Sequence, residues 1–185
     1  MLFLNPQQRV LLKAILLMAI PVALQTIISV GINMVDTMMV GALGEMQLTA
    51  VSQASQLFFI FQLTLFGTTG GANVLIAQYW GKQDREAIRS VIGYTFRIML
   101  GTAVILIGIA AVFPQQVMTL LSNNPAVIET GTQYLRIVSL SYLFFGITTV
   151  IGNTLRAVGD VNVAMGASFV SIAASVLFNR ILVFG

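Results

Sequence analysis

Asp36 is a carboxylate placed late in an apolar run that begins at Val10. An ionised acid near the centre of a bilayer costs about 2.5–3.5 kcal/mol even on the lenient insertion scale, so a sequence that carries one uses it. Burial favours the protonated acid, whereas a nearby cation or hydrogen-bond donor favours the ionised form. A carboxylate held between those influences can exchange a proton for a metal cation or a cationic organic molecule. At 3.6 residues per turn, Gln25, Ser29, Asn33 and Asp36 fall on one helical face, with Thr37 beside them. Two other stripes repeat the pattern: Ser168, Ser171, Ser175 and Asn179, and Tyr142, Gly146, Thr149, Asn153 and Arg156. Polar side chains facing lipid are costly, so these faces turn toward one another or toward a water-filled cavity. Stripes of Ser, Thr, Gly and Asn also serve simply to glue helices together, and that reading competes for each of them. It does not extend to Asp36, because packing has no need of a carboxylate.

The elements that must hold these residues follow from composition. The chain is 57% hydrophobic and 8% charged, with a mean hydropathy of +0.94. Soluble domains carry about 25% charged residues, so this is an integral membrane protein whose first partner is the lipid bilayer. The first apolar run is too long for a removable signal peptide. Cys and His are absent, which removes thiolate chemistry, the usual general base and the commonest metal ligand. No basic face with interleaved aromatic residues stands apart from the spans, so nucleic acid is not a partner.

Five segments are long enough to cross, near 10–40, 47–79, 87–113, 125–156 and 161–184. The expected fold class is therefore all-α with five transmembrane helices. Gly41, Gly44 and Gly81 punctuate the first two spans, and Pro114 stops the third. Asn124-Pro125 reads as an N-cap followed by proline at the first helical position, and Ala157 to Asp160 closes the fourth span. Gln115 to Leu121 suits a short helix lying in the interface. Arg9 and Lys13 lead the first span, Lys82, Arg85 and Arg89 follow the second, and Arg156 ends the fourth. The loops after spans one and three contain no Lys or Arg. The positive-inside rule places the N-terminus in the cytoplasm, with Tyr79 and Trp80 as an interfacial anchor.

Arg180 lies toward the outer end of the fifth span, where a structural ion pair with Asp36 is the alternative to a functional acid. Arg97 and Arg136 lie inside spans and can snorkel, pair with acids or face a cavity. Pro21 removes a backbone hydrogen bond and bends the helix that carries Asp36. Gly67 to Asn73, "GTTGGAN", allows close packing or bending of the second helix, and close packing is the expectation.

Several stretches resemble the multidrug and toxic compound extrusion (MATE) transporters. "MVDTMMVGALGEMQLTAVS" resembles the end of their first helix and the start of the second. "GGANVLIAQYWGKQDREAIR" resembles the exit of the second helix and its cytoplasmic loop. "QYLRIVSLSYLF", "NTLRAVGDVNVAM" and "SVLFNRILVFG" resemble the fourth helix, the following turn and the end of the fifth. Together they cover nearly the whole chain in order. The resemblance implies twelve helices in two six-helix lobes working by alternating access. It matches residues 1–185 to the first five helices of the N-terminal lobe, with the sixth helix and the C-terminal lobe as the missing partners. It implies that Asp36 takes part in H+ or Na+ coupling inside the N-lobe cavity, and that Pro21 is the helix bend. Many relatives carry Asn followed four residues later by Asp or Asn on the fifth helix; here those positions are Ser175 and Asn179. Asp36, Asn179, Ser175 and Thr37 then form the ion-coupling set, with Na+ at Asp36 and Asn179 as oxygen ligands. Gln25, Ser29, Asn33, Tyr142, Thr149 and Asn153 line the cavity for a small organic cationic substrate.

The function so implied is part of a secondary antiporter that exports cationic drugs or toxic compounds across the cell's inner membrane in exchange for H+ or Na+, with no other cofactor. A lipid or oligosaccharide flippase of the same superfamily is the rival, though few basic residues here suit its cavity. A non-transporting membrane scaffold is the third class, expected if the natural chain ends at Gly185. An enzyme is excluded by the missing acid–base machinery.

Overall fold

A chain of this composition cannot leave backbone N–H and C=O groups unpaired in lipid, and the helix is its local solution. The computed structural model describes residues 6–42 and 44–160, together with 163, 166 and 170. Every regular element among the described residues is a helix: α1 (Pro6–Ala42), α2 (Glu45–Gly81), α3 (Arg85–Val112), α4 (Pro114–Leu121), α5 (Pro125–Val138) and α6 (Ser141–Ala157). They fall into two compact units. One is Met38–Gly159, which holds α2 to α6; the other includes the described part of Met1–Thr37, and so most of α1. Three stretches are long and apolar enough to cross a membrane: Val22–Ala42 within α1, α2 and α3. The α5–α6 pair makes a fourth when taken together. The span expected at 161–184 lies outside the described residues, apart from 163, 166 and 170.

The turn chemistry read from the sequence at Pro114, at Asn124-Pro125 and at Ala157 to Asp160 is realised, and a further cap stands before α3. The Asp84 carboxylate caps α3 by accepting from the Ala87 N–H at 3.0 Å, after Gln83 takes the left-handed conformation at φ 57°. Pro114 opens α4 and Pro125 opens α5, where Asn124 Oδ1 accepts from the Ala126 N–H at 3.0 Å. Gly159, at φ 84°, follows the end of α6 and donates its N–H to the Arg156 carbonyl, a left-handed stop that glycine adopts without a Cβ penalty.

The fourth span departs from the continuous helix expected over 125–156. It breaks between Val138 and Ser141, and α5 and α6 meet at a 49° bend. Neither Pro nor Gly is responsible. The Ser139 hydroxyl donates to the Arg136 carbonyl at 3.2 Å and the Ser141 hydroxyl to the Val138 carbonyl at 2.6 Å. The Tyr142 N–H turns to the Ser139 carbonyl instead of Val138. Serine hydroxyls thus compete with the helical ladder and bend it.

In the Met38–Gly159 unit, α2 is the central post. Its inward face presents Ala50, Ala54, Leu57, Phe61 and Leu65 to Met99, Ala103, Leu106 and Ala110 of α3, with Met118, Leu135, Tyr142 and Val150 closing the core. The alanines let helices approach closely, which lipid-embedded bundles need because burial of apolar surface gives them little net drive. Gly131 and Gly146 serve the same end. A Cβ on Gly131 would collide with the Met118 methyl, and one on Gly146 would lie 2.7 Å from Met99 Sδ and 3.1 Å from the Phe61 ring. The close packing expected at Gly67, Gly70 and Gly71 is not made within this unit: a Cβ there meets nothing within 4 Å. Those glycines face outward because the core stripe of α2 runs along its opposite side.

Candidate functional site: polar stripes on α1 and α6

α1 carries Ser29, Asn33, Asp36 and Thr37 at the spacing that aligns them. Ser29 and Asp36 are half-buried, and Asn33 and Thr37 are exposed. The Thr37 hydroxyl donates to the Asn33 carbonyl at 2.7 Å. Its proton is thereby committed, and its oxygen lone pairs remain for a cation or a donor. Pro21 and Gln25 lie within α1, but their side chains fall outside the described residues. Ser175, Asn179 and Arg180 fall outside them entirely, so the Na+ pairing of Asp36 with Asn179 does too. The described residues contain no cluster of three or more metal-ligating side chains.

The α6 stripe is built differently. Tyr142 is fully buried in the core, stacked on Phe61 with ring centroids 5.7 Å apart and tilted against Phe58 at 5.3 Å. Its hydroxyl is buried and makes no hydrogen bond to described residues. Gly146 seats the helix on Met99, and Thr149 is half-buried one turn further on. Asn153 is the hub of a polar link between α6 and α2. Its Nδ2 donates to Thr69 Oγ1 at 3.3 Å, and its Oδ1 accepts from Arg156 Nη1 at 3.3 Å. The Thr69 hydroxyl in turn donates to the Leu65 carbonyl at 2.7 Å. With its amide nitrogen turned toward them, Asn73 donates to the carbonyls of Thr69 and Asn153, 3.3 Å each.

Tyr142, Thr149 and Asn153 are thus brought together on one helix, and the α1 residues on another that belongs mainly to the other unit. Sequence reading missed Thr69 and Asn73 as partners of Asn153. Their four-residue spacing within "GTTGGAN" was the available signal, hidden behind the glycines. Of the arginines inside spans, Arg97 lies over the Tyr94 ring at 5.3 Å, and Arg136 lines a cavity between α4 and α5.

The sequence profile of the MatE family matches residues 21–181. The chain belongs to the MatE family. It is therefore an all-helical, multi-pass membrane protein, as composition and the described helices indicate. Among MatE relatives it is 29% identical over 181 residues to the probable multidrug resistance protein YoeA of Bacillus subtilis, covering 94% of this chain and 38% of that protein. It is 24% identical over 174 residues to the probable multidrug resistance protein NorM of Thermotoga maritima, covering 94% of this chain and 37% of that one. A probable multidrug resistance protein NorM from Neisseria meningitidis serogroup A is 29% identical over 170 residues, covering 91% and 37%. The chain thus spans under two fifths of the length of these MatE relatives. No solved structure matches it.

Proposed function

We propose that residues 1–185 supply helices of the first lobe of a multidrug efflux antiporter, exchanging a small cationic organic substrate for H+ or Na+ across the inner membrane. The observation that carries this reading is the half-buried carboxylate of Asp36 on the membrane-spanning part of α1, in line with Ser29 and Asn33. A proton, a hard cation and an organic cation compete for one carboxylate in such surroundings. That competition is the physical basis of exchange, because loading one partner releases the other. The names of the MatE relatives support multidrug compounds as the substrate class.

Alternating access moves one bundle against another around a midplane site, and the remainder of the relatives' length supplies the second bundle. The full-length protein in vesicles is expected to drive efflux of a cationic dye when a pH or Na+ gradient is imposed. The 185-residue chain alone is expected to show none. Gradient-driven counterflow by the short chain would contradict the half-transporter reading.

The proposed orientation has the N-terminus in the cytoplasm. The chain has no native Cys, so single substitutions report cleanly. An impermeant thiol reagent applied outside should label Glu45→Cys and Asn123→Cys and spare Gln83→Cys; the reverse pattern would overturn the orientation.

A further inference from the structure

A second polar site lies between α4 and α5 and shares no residue with either stripe. A cavity of about 520 Å³ opens between α4 and α5, lined among others by Gln115, Thr119, Glu129, Thr132, Gln133 and Arg136. Its volume is that of a small-ligand site, and its lining holds an anion, a cation, two amides and two hydroxyls. Glu129, Thr132, Gln133 and Arg136 share one face of α5 by their spacing. The Thr132 hydroxyl is buried there with no partner among the described residues. The Thr119 hydroxyl donates to the Gln116 carbonyl at 2.8 Å, so toward any other group it acts as an acceptor. Met118, seated on Gly131, pins α4 against α5 and holds the walls in place.

The charges are ordered with depth. Taken with α6 as one span, α5 begins at Pro125, just after the polar loop Ser122–Asn124, and runs into the bilayer. Glu129 is four residues in, and Arg136 is roughly 10 Å deeper along the axis at 1.5 Å per residue. Arg136 is exposed. An arginine at that depth reaches back toward the interface and takes an anion there. A phospholipid presents its groups in the same order, with the ammonium nearest water and the phosphate beneath it.

We propose that this cavity binds the headgroup of a phosphatidylethanolamine. Arg136 takes the phosphate, and Glu129 with the neighbouring amide and hydroxyl oxygens takes the ammonium N–H groups. The order of charges is the same whichever leaflet holds the site, so the inference depends neither on the orientation of the chain nor on its transport activity. An ethanolamine headgroup is selected over choline because only a primary ammonium donates hydrogen bonds to the carboxylate. It is selected over glycerol because that headgroup brings no cation for Glu129.

The test is native mass spectrometry of the 185-residue chain released from nanodiscs containing equal parts of phosphatidylethanolamine, phosphatidylcholine and phosphatidylglycerol with identical acyl chains. The ethanolamine lipid should be retained about tenfold over either competitor, the effect of one charge-assisted contact. Glu129→Gln should remove that preference, and Arg136→Gln should lower the retention of all three lipids, since each carries the phosphate. Equal retention of the three lipids, or stronger retention of phosphatidylglycerol, would overturn the proposal from the unsubstituted protein alone, whether or not the variants fold. A preference that survives Glu129→Gln, or retention of the three lipids unchanged by Arg136→Gln, would also overturn it.

Discussion

The stripes on α1 and α6 look alike in the sequence and differ in what surrounds them. On α6, Tyr142 and Gly146 are packed into the core and Asn153 is tied to Thr69 and Arg156. On α1, Ser29, Asn33, Asp36 and Thr37 are half-buried or exposed, and the Thr37 hydroxyl is bonded back to its own helix. A polar stripe with glycine at its centre and an amide at its end is a means of joining helices. On the function proposed above, a stripe that ends in a carboxylate is a means of holding something that comes and goes. Periodicity finds both and cannot tell them apart.

That contrast can be tested by stability, because the α6 stripe should matter to folding and the α1 stripe should not. The largest loss is expected at Gly146, where any side chain must displace Met99 and the Phe61 ring. Gly146→Leu should cost about 3 kcal/mol or prevent insertion, the upper end for overpacking. Gly152→Leu, six residues on and open on the Cβ side, should stay within about 0.5 kcal/mol, as surface changes do. Denaturation midpoints in detergent measure both, and equal effects would remove α6 from the packing role.

A smaller loss is expected at Asn153. Hydrogen bonds between membrane helices average about 0.6 kcal/mol in double-mutant cycles. Asn153→Ala and Thr69→Ala should therefore each destabilise by roughly 1 kcal/mol, with a coupling energy near the average. A coupling of zero would show that the 3.3 Å contact orders the helices without stabilising them.

Much of the unit Met38–Gly159 was legible from the chain. The limits of α2 and α3, the short α4 and the Asn124–Pro125 start of α5 all follow from hydrophobic length and turn residues, which act locally. The bend at Ser139–Ser141 was not, because serine looks neutral in a helix until its hydroxyl is seen on a carbonyl. The glycines pointed the wrong way for a related reason. "GTTGGAN" has three in a short run, yet the glycines that core side chains press most closely, among the described residues, are Gly131 and Gly146, and which face a glycine presents depends on where the core stripe of its helix falls. The acid was legible because a carboxylate inside an apolar run stands out by its cost in lipid.

Asp36 is where the contrast between the stripes is sharpest, since the smallest effect on folding should accompany the largest effect on function. Asp36→Asn keeps size and most hydrogen bonding and removes the titratable charge. The decisive measurement is gradient-driven dye efflux by the full-length protein carrying Asp36→Asn, beside the same protein with Asp36→Asn and Arg180→Gln, both at matched membrane yield. A coupling carboxylate predicts normal yield, a stability change within about 0.5 kcal/mol, and no efflux from either variant. Normal efflux by Asp36→Asn would refute the coupling role, and loss of yield that Arg180→Gln restores together with transport would show instead that Asp36 is one half of a structural ion pair.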